Sequence, residues 1–195
     1  MTVVNQRLTF AEYLAYDDGT DTRYELVDGA LVPMSVGTGR HGKTTKFLEK
    51  AFDAEITRCG LEWTAERFSI GVQSPRGTRW DTSRIPDIAI ITLAQWQELQ
   101  TRAAVIALNE PPPLLVVEVV SPSTVTDDYR AKRAEYSVLD IPEYWIVDPL
   151  DEVITICTLR DGFYDSREFR GSDRISSPAF PGLELTAEQI LSADL

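Results

Sequence analysis

Two acidic residues of this sequence stand where a folded protein ordinarily places apolar side chains. Asp87 follows Pro86 and opens the apolar run 88–91. Glu118 lies within the apolar segment 115–120, where period-2 alternation puts it on one strand face with Val116 and Val120. A buried carboxylate needs a cation, hydrogen-bond donors or a metal. The alternatives are a turn role for Asp87 and an ion pair with a buried basic residue for Glu118.

A lysine occupies the middle of a predicted helical stripe. The segment from Val125 to Leu139 is typical of a helix, and its positions 125, 129, 132, 136 and 139 recur at the spacing of one helical face. This face is expected to pack on the sheet, which puts Lys132 at a position that favours an acidic partner. An ordinary surface salt bridge with Asp128, four residues earlier, is the alternative.

Together these three side chains indicate phosphodiester hydrolysis. Carboxylates from different strands bind a hard cation such as Mg²⁺, or Mn²⁺ in its place. A bound cation lowers the pKa of a water molecule and neutralises charge on the phosphate. A lysine beside it can orient that water and stabilise the developing charge.

The elements that must position these residues are predicted to form one mixed α/β domain. A short helix capped by Thr9 and a hairpin over 23–34, which turns at Asp28-Gly29, come first. Hydrophobic periodicity then predicts helices over 43–58, 93–107 and 125–139 and near Thr186, and strands or hairpins over 62–65, 68–73, 85–92, 114–120, 144–147, 153–159 and 162–170. This order favours a mixed sheet with helices on its faces.

The composition limits the classes of function. The chain has 195 residues, which suits a single domain over 1–195, and its formal net charge is −12. Such a charge argues against nucleic-acid binding through bulk electrostatics. Residues 38–86 are the exception, with nine basic and six acidic side chains; they form either a local basic face or a solvated helix face and a charged hairpin.

No sequence feature indicates a membrane or an oxidising compartment. No apolar run approaches the roughly 20 residues that span a bilayer. The first residues lack the pattern of a signal peptide, and the two cysteines are too few for a disulfide framework. We therefore expect a cytoplasmic protein with no membrane partner.

Several blocks of this sequence resemble the Uma-two family of restriction-endonuclease-like proteins, a branch of the PD-(D/E)XK nuclease superfamily. The resemblance covers about residues 8–191. It is carried by Pro86-Asp87, Glu-Val-Val-Ser-Pro-Ser-Thr at 118–124, Asp128 with Lys132, and Glu-Tyr-Trp-Ile-Val-Asp-Pro at 143–149. The hairpin 24–29 and the later His41 resemble the family's N-terminal half.

The resemblance implies a restriction-endonuclease-like αβββαβ core, with an N-terminal hairpin and extra C-terminal strands. It further implies that Asp87, Glu118 and the Val119 carbonyl bind metal. Val120 stands where the superfamily motif has its lysine. In the family that this chain resembles, the lysine comes instead from the following helix, at the position of Lys132, which is also the residue that the helical stripe indicates.

Further candidates surround this constellation. Glu25 is a possible additional acid at the metal, although its strand would equally let it face solvent. His41 is a candidate for touching phosphate or assisting proton transfer, with a helix cap or an exposed position as the alternative. The plausible phosphate contacts are Arg40, Lys43, Arg76 and Arg79.

The leading hypothesis is a Mg²⁺-dependent endonuclease that acts on nucleic acid, with DNA as the expected substrate. A homodimer is expected because two-fold oligomers predominate and duplex cleavage needs two active sites. The alternative is a catalytically inactive protein that keeps the nuclease fold as a scaffold or dimeric interaction module. The net charge of −12 favours this alternative, whereas the three buried polar residues favour the enzyme.

Overall fold

The computed structural model describes residues 7–34, 37–76 and 79–193. The first six residues, which bear on a signal peptide, lie outside this range. The described segments contain five α-helices: α1 (Phe10–Leu14), α2 (Gly39–Cys59), α3 (Leu93–Leu99), α4 (Arg133–Val138) and α5 (Ala187–Ser192). A π-helical turn, Asp127–Lys132, runs directly into α4.

Eleven strands complete these described segments. They are β1 (Tyr24–Val27), β2 (Ala30–Pro33), β3 (Trp63–Arg67), β4 (Gly71–Arg76), β5 (Arg79–Arg84), β6 (Ile88–Thr92), β7 (Val105–Ile106), β8 (Leu115–Val119), β9 (Glu143–Asp148), β10 (Val153–Arg160) and β11 (Phe163–Phe169).

The larger sheet has six strands in the order β11-β10-β9-β8-β6-β3. All its neighbouring strands are antiparallel except β8 and β9, which are parallel and joined through the π turn and α4. The predicted αβββαβ core consists, in chain order, of α2, β3, β6, β8, the helical segment and β9; β4 and β5 are inserted after β3, and α3 and β7 after β6. The mixed α/β fold expected from the sequence is therefore confirmed.

A second, five-stranded sheet has the order β2-β1-β5-β4-β7. The hairpin β1–β2 turns at Asp28-Gly29, and both residues have positive φ, as predicted for this dipeptide. The sequence did not indicate that β4 and β5 leave the main sheet to pair with this hairpin. Their pairing brings Arg84, at the end of β5, beside β1 and next to the segment that carries Asp87.

Two predicted helices differ in extent from those in the structure, and one strand was not predicted. Helix α2 begins at Gly39 rather than at residue 43, because the Thr38 side chain accepts a hydrogen bond from the backbone of His41 and caps it. The predicted helix over 93–107 ends at Leu99, and its apolar tail forms β7 beside β4. Residues 79–84 contain Trp80 as their only apolar side chain and show no apolar alternation, so their strand, β5, was missed.

The two faces of the larger sheet are packed with apolar side chains. Leu115, Val117 and Val119 face α2 and the C-terminal segment, whereas Val116 and Val120 face the cluster that contains Tyr136 of α4. Glu118 shares the second face, so the alternation predicted for this strand is present. Among the described residues, no helix is both long and apolar enough to cross a membrane.

Candidate active site

The pairing of β6 with β8 brings the two predicted carboxylates together. Ile88 pairs with Val117 in an antiparallel register. Continuing that register by one residue sets Asp87 opposite Glu118, at the end of the sheet where β6 starts. Glu118 is 3% and Asp87 9% exposed, so both side chains are largely removed from bulk water.

Lys132 reaches these carboxylates from the helical segment. Its Nζ lies 2.8 Å from Oε2 of Glu118 and 3.0 Å from Oδ1 of Asp128. Asp128 was expected at most to form a surface salt bridge, yet this side chain is fully buried. Lys132 is therefore shared between two buried acids, one on β8 and one on its own helical turn.

Asp128 and Lys132 both lie within a π-helical turn. Isolated π turns insert an extra residue into a helix and occur frequently at functional sites. Within the turn Asp127–Lys132, both Asp128 and Lys132 are buried, whereas Arg130 is exposed. The predicted stripe included Lys132 and Tyr136 but not Asp128, whose i,i+4 spacing from Lys132 was interpreted as that of a surface salt bridge.

Glu118 is held by two partners in an apolar setting. Its Oε1 accepts a 2.8 Å hydrogen bond from the Tyr136 hydroxyl, and Lys132 occupies Oε2. Burial raises the pKa of Glu118, the charge of Lys132 opposes this shift, and the charges of Asp87 and Asp128 add to it. Burial alone would lower the pKa of Lys132, but the surrounding acids raise it and keep the ammonium charged.

Asp87 is fixed by a backbone amide and by the single histidine. Its Oδ2 accepts a 2.6 Å hydrogen bond from the Val119 N–H and lies 3.0 Å from Nε2 of His41. The His41 ring stacks on Phe68, whose N–H donates to the Asp87 carbonyl. Burial would lower the pKa of His41, but the hydrogen bond and charge of Asp87 raise it above its ordinary value.

Glu25 lies at the cavity but is engaged with protein groups. Its Oε1 accepts a hydrogen bond from the Ile85 N–H, and its Oε2 lies 3.1 Å from Arg84. Arg84 is 1% exposed and also binds both carboxylate oxygens of Glu135. This buried network connects β1, β5 and α4 behind the segment that carries Asp87. A role for Glu25 at a metal stays a prediction.

A cavity of about 650 Å³ opens beside these residues. One wall is apolar and comes from the β1–β2 hairpin and Phe68. The other is polar and includes Asp87, Glu118, Asp128 and Lys132.

A second cavity, of about 470 Å³, lies at the five-stranded sheet and contains only Glu110 and Asp140 as ionisable lining residues. The first cavity is thus where the predicted catalytic side chains meet.

The four basic residues predicted to contact phosphate lie in different places. Arg76 lines the cavity, with its Nη1 3.5 Å from Oε1 of Glu135. Arg40 is exposed at the start of α2 and does not line the cavity. Lys43 donates to the Ser192 carbonyl, and Arg79 lies 3.7 Å from Asp28, both outside the cavity lining. Of these four residues, Arg76 alone lines the cavity, together with His41, the other residue predicted to touch phosphate.

The carboxylate oxygens of this site suit a hard divalent cation, although the acidic side chains do not form a close group of three ligands. In the described segments, no three His, Cys, Asp or Glu side chains are grouped as a ready metal site. Mg²⁺, however, is commonly held by one or two carboxylates and keeps several waters. Besides burial, the charges of Asp87 and Asp128 raise the pKa of Glu118, and the charge of Asp87 raises the pKa of Asp128, while Lys132 opposes both shifts. This excess of negative charge would be balanced by a cation at Asp87 and Glu118.

Three contacts of this site were not found from the sequence: Asp128 to Lys132 in the interior, His41 to Asp87, and Tyr136 to Glu118. The last two join residues that are 46 and 18 positions apart. Spacing within one element cannot reveal such pairs. The block Asp128-x-x-x-Lys132 was visible, but its i,i+4 spacing is also that of ordinary surface ion pairs.

The sheet topology and the position of the carboxylates define a restriction-endonuclease-like fold. A crystal structure of a putative nuclease belonging to DUF820 from Anabaena variabilis superimposes with a TM-score of 0.72. The match covers 95% of this chain and 98% of that chain, at 15% sequence identity. A comparison with curated proteins finds no match.

The family model Uma2, described as "Putative restriction endonuclease", matches residues 10–188. The chain therefore belongs to the Uma2 family, as its sequence blocks indicated.

Proposed function

We propose that this protein is a metal-dependent endonuclease that hydrolyses phosphodiester bonds in DNA. The observation that carries the proposal is the convergence of Asp87, Glu118 and Lys132 at one cavity, with Lys132 Nζ 2.8 Å from Glu118. Membership of a family described as restriction endonucleases and the shared fold of the Anabaena variabilis protein support it.

In this proposal Asp87 and Glu118 hold Mg²⁺ or Mn²⁺, and the cation supplies an acidified water and charge neutralisation. The Val119 carbonyl, at the end of β8, stays a proposed additional ligand, and so does Glu25. The chain's own groups do the positioning. Val119 N–H and His41 fix the orientation of Asp87, while Tyr136 fixes Glu118.

Lys132 is the proposed electrostatic catalyst. The acids around it raise its pKa, so its ammonium remains charged at neutral pH. A charged group in a site of low dielectric stabilises the negative charge that develops on phosphate more strongly than it would in water. It can also orient the attacking water by donating a hydrogen bond. Arg76, at the same cavity, is the proposed contact to the substrate phosphate.

An inactive scaffold is the competing function, and the net charge of −12 favours it. The buried acids argue against it, because buried ion pairs can often be replaced by apolar residues with a gain in stability.

The proposal includes a homodimer, which would place two such sites on one duplex. Analytical sedimentation of the purified protein tests this oligomeric state.

Metal-induced stabilisation separates the two functions. A ligand that binds only the folded state raises the melting temperature as its concentration exceeds its Kd. We expect Mg²⁺ and Mn²⁺ to stabilise the wild-type protein, and the effect to be lost in Asp87→Asn and Glu118→Gln. If neither ion stabilises the wild-type protein and no DNA is cut, the scaffold is the correct function.

A further inference from the structure

The position of Lys132 creates a conflict at Glu118. Oε1 of Glu118 accepts the Tyr136 hydrogen bond, and Oε2 lies 2.8 Å from the Lys132 ammonium. A divalent cation that binds Glu118 must therefore compete with Lys132 for this carboxylate. At the same time the ammonium has to remain at the site if it is to act on the phosphate.

Asp128 offers the ammonium a second partner. Its Oδ1 lies 3.0 Å from Lys132 Nζ, and its side chain is fully buried. The Thr124 side chain also interacts with Asp128, but apart from the ion pair neither carboxylate oxygen accepts a hydrogen bond of good geometry from the described residues. A buried carboxylate whose oxygens lack hydrogen-bond donors lowers the stability of the folded protein. A functional role therefore accounts for Asp128 in the interior better than a structural one.

The neighbouring acid shows that the arrangement is specific to one position. Asp127 also lines the cavity and carries the same charge, but it is only partly buried, and the described residues show no ion pair between it and Lys132. The π turn places Asp128, and not Asp127, against the ammonium.

We propose that Asp128 is a positioning residue that takes over the Lys132 ammonium when a divalent cation occupies Glu118. This inference rests on the proposed metal-dependent function. Asp128 thereby lowers the cost of metal binding and keeps the ammonium at the cavity. It follows that Lys132 and Asp128 are energetically coupled in metal affinity, whereas Lys132 and Asp127 are not.

A double-mutant cycle on the affinity for Mn²⁺, measured by calorimetry, tests the coupling. Asp128→Asn should weaken Mn²⁺ binding by about tenfold in the wild-type background, since a tenfold change corresponds to ~1.4 kcal/mol. In a Lys132→Met background the same substitution should have a much smaller effect, because no ammonium competes for Glu118. Lys132→Met alone should bind Mn²⁺ more tightly than the wild-type protein.

Asp127→Asn is the matched control and should have the same effect in both backgrounds. Thermal unfolding without metal checks that each variant folds, and Lys132→Gln replaces Lys132→Met if the latter does not. An equal effect of Asp128→Asn in both backgrounds, or no effect in either, would overturn the inference while leaving metal binding by the wild-type protein in place. Failure of the wild-type protein to bind Mn²⁺ would overturn the proposed function and the inference together.

A kinetic readout separates positioning from a purely structural role. Asp128→Asn should lower kcat for DNA cleavage at saturating Mn²⁺ with little change in KM, because the ammonium is displaced while Arg76 still contacts the substrate. A change in KM alone, with kcat intact, would contradict the proposal.

Discussion

The Tyr136 hydroxyl donates a 2.8 Å hydrogen bond to Oε1 of Glu118. Both side chains are almost fully buried, so the bond connects α4 to the central strand β8 without competition from water. It also gives the Tyr136 hydroxyl a hydrogen-bond partner in the interior. Tyr136 therefore serves both the packing of the helix and the orientation of a proposed metal ligand.

Tyr136→Phe removes this donor and leaves a buried carboxylate oxygen without a partner. We expect the free energy of unfolding to fall by about 1–3 kcal/mol, as measured by urea denaturation. Tyr164→Phe is the matched control, since its hydroxyl donates a buried 2.8 Å hydrogen bond to the Ile141 carbonyl, away from the cavity lining. Both variants should lose stability, but only Tyr136→Phe should also lose affinity for Mn²⁺. Equal Mn²⁺ affinities would contradict the role assigned to Tyr136.

His41→Ala removes the side chain that holds Oδ2 of Asp87 at 3.0 Å. Substitutions of residues that orient metal ligands typically reduce metal affinity or activity by roughly 10–100-fold, and we expect a loss of that size. Isothermal calorimetry with Mn²⁺ and a cleavage assay measure it. Lys46→Ala, at an exposed position of the same helix, should bind and cleave like the wild-type protein. Normal Mn²⁺ affinity in His41→Ala would show that the Val119 N–H alone is sufficient to orient Asp87.

Glu135→Ala should be severely destabilising. It leaves Arg84, 1% exposed, without the carboxylate that it binds through two hydrogen bonds. Breaking a buried ion pair by removing one partner costs about 3–5 kcal/mol, which urea denaturation would detect. Glu49→Ala breaks the partly exposed pair with Arg67 and should cost about 1 kcal/mol or less. Similar losses in the two variants would contradict the structural importance of the Arg84 network.

Arg76→Gln should weaken DNA binding more than Arg40→Gln. Arg76 lines the cavity beside the proposed catalytic residues, whereas Arg40 is exposed at the start of α2, outside the lining. Because each neutralised phosphate contributes about −0.9 to the slope of log affinity against log salt, a site with one or two such contacts predicts a shallow slope. A steep slope, together with equal effects of the two substitutions, would instead favour a broad basic face over 38–86.

Much of the fold and the principal site residues could be predicted because they depend on local patterns. The apolar run around Glu118 and the helical stripe through Lys132 both indicate a polar residue directed into the interior. The Asp28-Gly29 turn, the cap at Thr9 and the helix near Thr186 follow from local sequence patterns, and the structure contains all three.

The remaining features depend on tertiary contacts. No local pattern shows that β5 pairs with β1, because its small polar and charged residues become buried only when the Arg84 network forms. Asp128 is buried in the interior, but its i,i+4 spacing from Lys132 is also that of a surface ion pair, so the sequence could not reveal this position. His41 and Asp87 meet only after α2 packs beside the start of β6.

The most direct test of the proposed function is cleavage of plasmid and single-stranded DNA by the purified protein with Mg²⁺ or Mn²⁺. Glu118→Gln and Lys132→Ala are assayed beside it, with Lys46→Ala as the exposed control. The proposed site predicts metal-dependent cutting by the wild-type and Lys46→Ala proteins, and none by the other two variants when they remain folded. Full cutting by folded Lys132→Ala would contradict the assignment of the catalytic lysine, and no metal-dependent cutting by the wild-type protein would contradict the nuclease function itself.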